Sequence, residues 1–77
     1  MPTIFTKDGF RFFFYSAENK EPMHVHVEYA GGKAKFWLSP ICLASSYKMR
    51  APDLKKARAF IEQNHELCKE KWNEYFN

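Results

Sequence analysis

The sequence predicts an α+β fold, an antiparallel meander of four or five strands with a long C-terminal helix packed on one face. Two observations predict it: apolar and polar residues alternate around two glycine-containing turns in the first half, and apolar residues recur with helical spacing in the last third. The chain has 77 residues, which suits one domain over 1–77, with the meander over 3–50 and the helix over 52–76. Aromatic residues make up 18% of the chain, enough to build a dense core from few side chains.

The first predicted hairpin turns at Asp8–Gly9, a pair that favours a type I′ turn, and its strands cover 3–7 and 10–16. Counting outward from the turn predicts the pairs Lys7–Phe10, Thr6–Arg11, Phe5–Phe12, Ile4–Phe13 and Thr3–Phe14. The second strand then carries phenylalanines on one face and Arg11, Phe13 and Tyr15 on the other. A sheet with one buried face needs one apolar side. The second aromatic side therefore requires an extra layer, a dimer contact or a binding platform.

The second predicted hairpin covers 23–38, with Gly31–Gly32 as its two-residue turn. One face would be ordinary core, with the pairs Val25–Leu38, Val27–Phe36 and Tyr29–Ala34. The other face, called the histidine face below, would carry the pairs His24–Ser39, His26–Trp37 and Glu28–Lys35. The histidine face is the candidate site, because it groups two imidazoles, a carboxylate, a lysine and an indole.

The remaining segments complete the meander and form the helix. Residues 17–22 are polar and end in proline, which predicts a loop, and residues 41–44 predict a short fifth strand. Pro52 suits the first helical position, although Ala51 before it lacks a capping acceptor. One helix face carries residues three or four positions apart: Leu54, Ala57, Ile61, Asn64, Cys68, Trp72 and Tyr75. The amide of Asn64 on this apolar face predicts a hydrogen bond to the backbone of a strand or loop.

Composition limits the classes of function. The net charge of +3 is compatible with a nucleic acid or an acidic protein partner. Cys42 and Cys68 lack a C-x-x-C spacing, so we expect reduced core cysteines. The sequence has no signal-like or membrane-spanning segment, and we expect a cytoplasmic protein without a membrane partner. It also lacks a glycine-rich phosphate loop, a nucleophile elbow and paired carboxylates, which argues against nucleotide-dependent enzymes and serine hydrolases.

Three interpretations of His24 and His26 remain open. They can be polar residues on the solvated face of an amphipathic strand. They can act as the acid and the base of a ribonuclease, because histidine exchanges protons near neutral pH. They can also bind zinc together with Glu28, but His65 and Cys68 lie on the distant helix and no fourth ligand is evident, so we expect neither a metal nor a cofactor.

The ribonuclease interpretation assigns a role to each neighbouring side chain. Lys35 and Arg11 would contact phosphate, and Trp37 or Tyr15 would stack a base, as in the recognition of single strands. Glu28 completes the set of candidate binding residues. All of these groups share one face if the first hairpin presents its Arg11 side there.

The chain also resembles a bacterial family known as domain of unknown function 4160. The segments that carry the resemblance are residues 1–4, residues 9–16, Glu21–Pro22 leading into His24-Val25-His26-Val27, residues 34–38, and Asn64 with the terminal residues Trp72, Glu74, Tyr75 and Phe76. It differs at Met23, where members commonly have a second proline, and at Ala51, where they often have serine. Members often occur in gene pairs that resemble toxin–antitoxin modules. The resemblance therefore implies a toxin-like role beside a small cognate protein.

Two hypotheses follow. In the first, the chain is the toxin component of such a module and acts on RNA as a metal-independent ribonuclease through the histidine face. In the second, it is a non-catalytic interaction module that binds a small partner protein, or a second copy of itself as a homodimer, through the aromatic sheet face.

Overall fold

The computed structural model describes residues 3–15 and 20–76 of the chain. Within these residues, five antiparallel strands form one sheet in sequence order, and two helices follow. The elements are β1 (Thr3–Lys7), β2 (Phe10–Phe13), β3 (His24–Tyr29), β4 (Gly32–Leu38), β5 (Ile41–Tyr47), α1 (Ala51–Gln63) and α2 (His65–Phe76). The α+β class and the antiparallel meander are thereby confirmed, and the fifth strand is longer than predicted. The predicted end of β2 at Ser16 and the first part of the predicted loop, 17–19, lie outside the described residues.

The first hairpin has the predicted turn and most of the predicted register. Asp8 and Gly9 have φ values of 50° and 86°, as a type I′ turn requires. The three pairs nearest the turn form as predicted: Lys7–Phe10, Thr6–Arg11 and Phe5–Phe12. The register then shifts between Thr3 and Phe5, so that Thr3 pairs with Phe13. The predicted pairs Ile4–Phe13 and Thr3–Phe14 are wrong, because a bulge places an additional residue in β1.

The second hairpin turns at Ala30–Gly31, one residue earlier than predicted. These two residues have φ values of 49° and 82°, and Tyr29 pairs with Gly32. Gly32 is therefore the first residue of β4, and a glycine is needed there because a Cβ atom would lie 2.3 Å from the carbonyl oxygen of Lys48. The predicted pairs are wrong by two positions, and the observed ones are His24–Trp37, Val25–Phe36, His26–Lys35, Val27–Ala34 and Glu28–Lys33. A shift of two residues preserves the face of every side chain.

The predicted single helix is divided in two at Asn64. This residue has φ −121° and ψ 27°, outside helical values, and its Nδ2 donates to the carbonyl oxygen of Phe60 at 2.9 Å. The predicted backbone bond of Asn64 therefore exists, but its acceptor lies in α1 rather than in a strand or loop. An asparagine side chain that bonds a nearby backbone carbonyl competes with helical geometry. At the other end, α1 begins at Ala51, so Arg50 is its capping residue, and it makes no side-chain cap bond.

Both helices cover the same face of the sheet. Contacts join α1 to β5, and α2 to β1 and β4. The core between the layers consists of Phe10, Phe12, Phe14, Val25, Val27, Ala34, Phe36, Leu38, Ala57, Ile61, Cys68 and Trp72. Tyr75, predicted on the buried helix face, is 45% exposed. Cys68 is buried as expected, whereas Cys42 is exposed, so the prediction of two core cysteines is wrong for Cys42.

Candidate functional site

The histidine face lies on the side of the sheet opposite the helices, and both hairpins contribute to it. Arg11 pairs with Glu28, and Phe13 pairs with His26, so the first hairpin presents its Arg11 side to this face. The Tyr15 ring follows, 4.5 Å from the His26 ring. The structure therefore brings together all the candidate residues of the sequence analysis: Arg11, Tyr15, His24, His26, Glu28, Lys35 and Trp37.

His24 is fully buried, although strand alternation places it on the histidine face. Its Nδ1 lies 2.9 Å from the carbonyl oxygen of Pro22. Since a carbonyl oxygen can only accept a hydrogen bond, Nδ1 carries the proton and donates it. The last residue pair between β2 and β3 is Phe13–His26, and His24 lies beyond this pair, at the start of β3. The Trp72 ring of α2 packs edge-on against His24, with 5.1 Å between the ring centres. His24 therefore contacts the core, and a bound molecule does not reach it in this conformation.

His26 is half-buried and is the more accessible imidazole of the two. Its ring stacks on Phe13 at 5.7 Å and lies 5.2 Å from the ring of His24. Phe13 is 1% exposed, because the Arg11 guanidinium lies 4.1 Å from the centre of its ring and the Tyr15 ring packs edge-on against it at 5.2 Å. The second aromatic side of β2 is thus partly covered by the polar and aromatic side chains of its own face.

Both predicted phosphate-binding cations, Arg11 and Lys35, have a carboxylate beside them. The Lys35 ammonium donates to Oε1 of Glu21 at 2.7 Å and lies 4.6 Å from the centre of a Trp37 ring. The same Glu21 oxygen is 3.9 Å from Nε2 of His24. On the other side of the face, Nε of Arg11 lies 3.5 Å from Glu28. Glu21 was not among the predicted site residues, and the signal that could have found it is its position three residues before His24, the first residue of the strand that carries both histidines.

A cavity of about 420 Å³ lies at the end of the histidine face where β4 turns into β5. Trp37 and Cys42, which pair across these strands, contribute to its wall. The lining residues are Pro22, Met23, Trp37, Ser39, Pro40 and Cys42. The walls are mostly apolar, and a hydroxyl and a thiol supply the side-chain polar groups.

Within residues 3–15 and 20–76, no group of three or more His, Cys, Asp or Glu side chains is arranged to hold a metal ion. In the same part of the chain, neither helix is long and apolar enough to cross a membrane.

Comparisons with known proteins give one match. The family model described as "Domain of unknown function (DUF4160)" matches residues 9–73, which includes every candidate residue named above. No curated protein and no solved structure matches the chain.

Proposed function

The chain belongs to the DUF4160 family, and on that premise we propose that it is the RNA-directed component of a bacterial toxin–antitoxin-like pair. In this proposal it acts in the cytoplasm and binds single-stranded RNA on the histidine face. A small cognate protein would be its partner. The observation that carries the proposal is the placing of half-buried aromatic rings next to two cations on the sheet face that the helices leave open.

The aromatic side chains supply stacking surfaces. Tyr15, His26 and Trp37 are all half-buried and come from three adjacent strands or their ends. Exposed rings on a sheet are a common platform for the unstacked bases of single strands, because every base has a π-face. Double-stranded nucleic acid offers no such free faces.

The charged side chains supply contacts to phosphate. The Arg11 guanidinium lies 4.1 Å from the centre of the Phe13 ring, and the Lys35 ammonium lies 4.6 Å from the centre of a Trp37 ring. Their side chains are 28% and 19% exposed. Their carboxylate partners, Glu28 and Glu21, are 41% and 48% exposed, and exposed ion pairs of this kind are weak. A phosphate group can therefore replace a carboxylate at either cation at small cost.

RNA cleavage is the more specific form of the proposal, and the geometry supports it less well than binding. Cleavage needs one group that accepts the proton of the ribose 2′-hydroxyl and another that protonates the leaving oxygen. His26 is accessible for one of these steps. His24 is fully buried against Trp72, so its predicted role as the second group requires a rearrangement that exposes it.

The direct test is fluorescence anisotropy of a labelled single-stranded RNA at several salt concentrations. We expect Arg11→Gln and Lys35→Gln each to weaken binding and to reduce the slope of log K against log salt by about 0.7, the value for one lost phosphate contact on a single strand. Lys55→Gln and Arg58→Gln on the exposed side of α1 are matched controls, and they should leave both quantities unchanged. Equal losses from both pairs of variants would indicate non-specific attraction and would contradict the proposed site.

A growth assay tests the toxin-like role. Inducible wild-type protein should inhibit growth, and His26→Ala should relieve the inhibition while circular dichroism shows an intact fold. Equal inhibition by a folded His26→Ala protein would remove the histidine face from the proposal.

The interaction module is a second candidate function. Phe13 of the aromatic sheet face is only 1% exposed, so the edge strand β5, and not that face, is the surface that favours this function. This edge strand, Ile41–Tyr47, contains no charged residue, and it exposes Leu43 and Tyr47 by 41% and 62%. Uncharged edge strands are ready to pair with another strand, and proteins usually protect them with charge. If β5 pairs with a cognate protein or a second copy, Ser45→Lys should abolish the complex in size-exclusion chromatography with light scattering. A monomer both alone and with the cognate protein would count against this function.

A further inference from the structure

We propose that the cavity beside Trp37 is a nucleobase pocket, in which one base of a bound single-stranded RNA stacks on Trp37 while the adjacent phosphate contacts Lys35. This inference rests on the proposed RNA-binding function and assigns a specific place to one nucleotide. Two features support it: the volume and lining of the cavity, and the position of Lys35.

The cavity has the character of a small-ligand pocket. Its volume of about 420 Å³ lies within the range of such pockets, and mostly apolar walls with few polar groups are typical of them. Pro22, Met23 and Pro40 give apolar contacts, and the Trp37 indole gives a flat surface. The Ser39 hydroxyl and the Cys42 thiol are the side-chain polar groups that a base edge can meet.

The position of Lys35 favours a nucleotide over an apolar side chain as the occupant. Its ammonium lies 4.6 Å from the centre of a ring of Trp37, the same indole that lines the cavity. An aromatic group that stacks on Trp37 in the cavity would therefore contact the same indole that the Lys35 ammonium contacts. Because a nucleobase is joined to a phosphate through its ribose, one nucleotide satisfies both the apolar pocket and the charge, and an apolar side chain satisfies only the pocket.

Glu21 now holds the ammonium of Lys35 at 2.7 Å. Its side chain is 48% exposed and lies in the segment directly before β3. An arriving phosphate would take the place of this carboxylate, and the Lys35 side chain need not move away from Trp37.

The reactivity of the Cys42 thiol can be used to measure whether the pocket is occupied. It is exposed and lines the cavity, whereas Cys68 is buried, and burial raises the pKa of the Cys68 thiol to about 11. An alkylating reagent at neutral pH should therefore modify Cys42 of the folded protein and leave Cys68 unmodified, since the thiolate is the reactive form.

The experiment measures the rate of Cys42 alkylation by iodoacetamide, by mass spectrometry, with and without a saturating single-stranded RNA heptamer. Anisotropy of the same RNA establishes saturation. We expect the RNA to slow alkylation at least tenfold, and an abasic oligonucleotide with the same backbone to leave the rate unchanged. We also expect that prior modification of Cys42 with a bulky maleimide lowers RNA affinity at least tenfold, whereas the same treatment of Cys42→Ser has no effect.

Each contrary result has a distinct meaning. If the RNA binds and alkylation proceeds at the unprotected rate, the pocket assignment is overturned and the proposed RNA-binding function stands, with its location tested by the Arg11 and Lys35 variants. If the abasic strand protects Cys42 as well as RNA does, the backbone covers the thiol and the assignment of a base to the cavity is wrong. If anisotropy shows no binding, the pocket and the proposed function fail together.

Discussion

The imidazole of His24 packs edge-on against the indole of Trp72, with 5.1 Å between the ring centres. A residue that strand alternation assigns to the open side of the sheet is thus part of the contact between the sheet and α2. His26, two residues later, pairs with Phe13 of β2 and remains half-buried. The two histidines of one motif therefore have different surroundings: His24 is buried against α2, and His26 is half-exposed on the histidine face.

This difference predicts that the two alanine variants separate stability from function. His24→Ala removes a fully buried ring and should lower the free energy of unfolding by about 2–4 kcal/mol, the usual cost of a large-to-small change in a core. His26→Ala removes a half-buried ring and should cost less than about 1 kcal/mol. Urea denaturation followed by circular dichroism measures both. Similar losses from the two variants would contradict the structural role of His24.

The sequence was sufficient to predict which residues share the histidine face, and the reason is the period of the strand. The predicted register of the second hairpin was wrong by two residues, and an even shift leaves every side chain on its own side. The Asp8–Gly9 turn was predicted correctly because both residues favour positive φ. Local sequence signals of this kind are sufficient to predict those features of the structure that are determined by residues close together in the sequence.

Features that depend on distant contacts were not predictable in this way. The role of Gly32 depends on the backbone of Lys48, sixteen positions later, which a hairpin pattern does not contain. The burial of His24 depends on where α2 places Trp72. The division of the helix is different, because Asn64 bonds to Phe60 only four positions earlier, and the apolar spacing that continues through Asn64 does not reveal it. Glu21 contacts Lys35 from the loop before β3, and the sequence pattern of a loop does not predict where its side chains lie.

Gly32 and Gly31 should respond differently to substitution by alanine, although they are neighbours. At Gly32 a Cβ atom would lie 2.3 Å from the Lys48 carbonyl oxygen and 2.7 Å from the Met49 side chain, so the backbone of that segment must move. We expect Gly32→Ala to cost about 2–3 kcal/mol, as overpacking does. At Gly31 a Cβ atom meets nothing within 4 Å, and the cost of about 1 kcal/mol comes from its φ of +82°.

Thermal unfolding of the two variants checks this order, with Gly31→Asn as a control because asparagine tolerates positive φ. Gly31→Asn should unfold closer to the wild-type temperature than Gly31→Ala. If Gly32→Ala is the most stable of the three, the close approach of Lys48 to β4 is incorrect.

Glu21→Gln should strengthen RNA binding if phosphate and carboxylate compete for Lys35. The change removes the charge that holds the ammonium at 2.7 Å and keeps the size of the side chain. We expect affinity to rise about two- to fivefold, in line with the small strength of exposed ion pairs. Glu62→Gln is a suitable control, because Glu62 forms a similar exposed pair with Arg58 on α1, away from the face. Weaker binding by Glu21→Gln would show that Glu21 assists the ligand and does not compete with it.

The burial of Cys68 predicts a loss of stability at alkaline pH. Burial raises the pKa of its thiol from 9.0 to about 11, because the thiolate is poorly solvated inside the core. Above pH 9 the unfolded chain releases this proton while the folded chain retains it, so the free energy of unfolding falls as pH rises from about 9 to 11. The stabilisation is complete below pH 9, and its loss should reach about 2–3 kcal/mol, since one pKa unit corresponds to about 1.4 kcal/mol.

Urea titrations of wild-type protein and Cys68→Ala at pH 7, 9 and 11 isolate this contribution from the lysines and tyrosines that also titrate there. The alanine variant should be less stable at pH 7, because it loses a buried side chain, and the difference between the two proteins should shrink by pH 11. Cys42→Ser should follow the wild-type curve, since Cys42 is exposed. A difference between wild type and Cys68→Ala that stays constant across this range would place the Cys68 thiol in contact with water and contradict its position beneath the sheet.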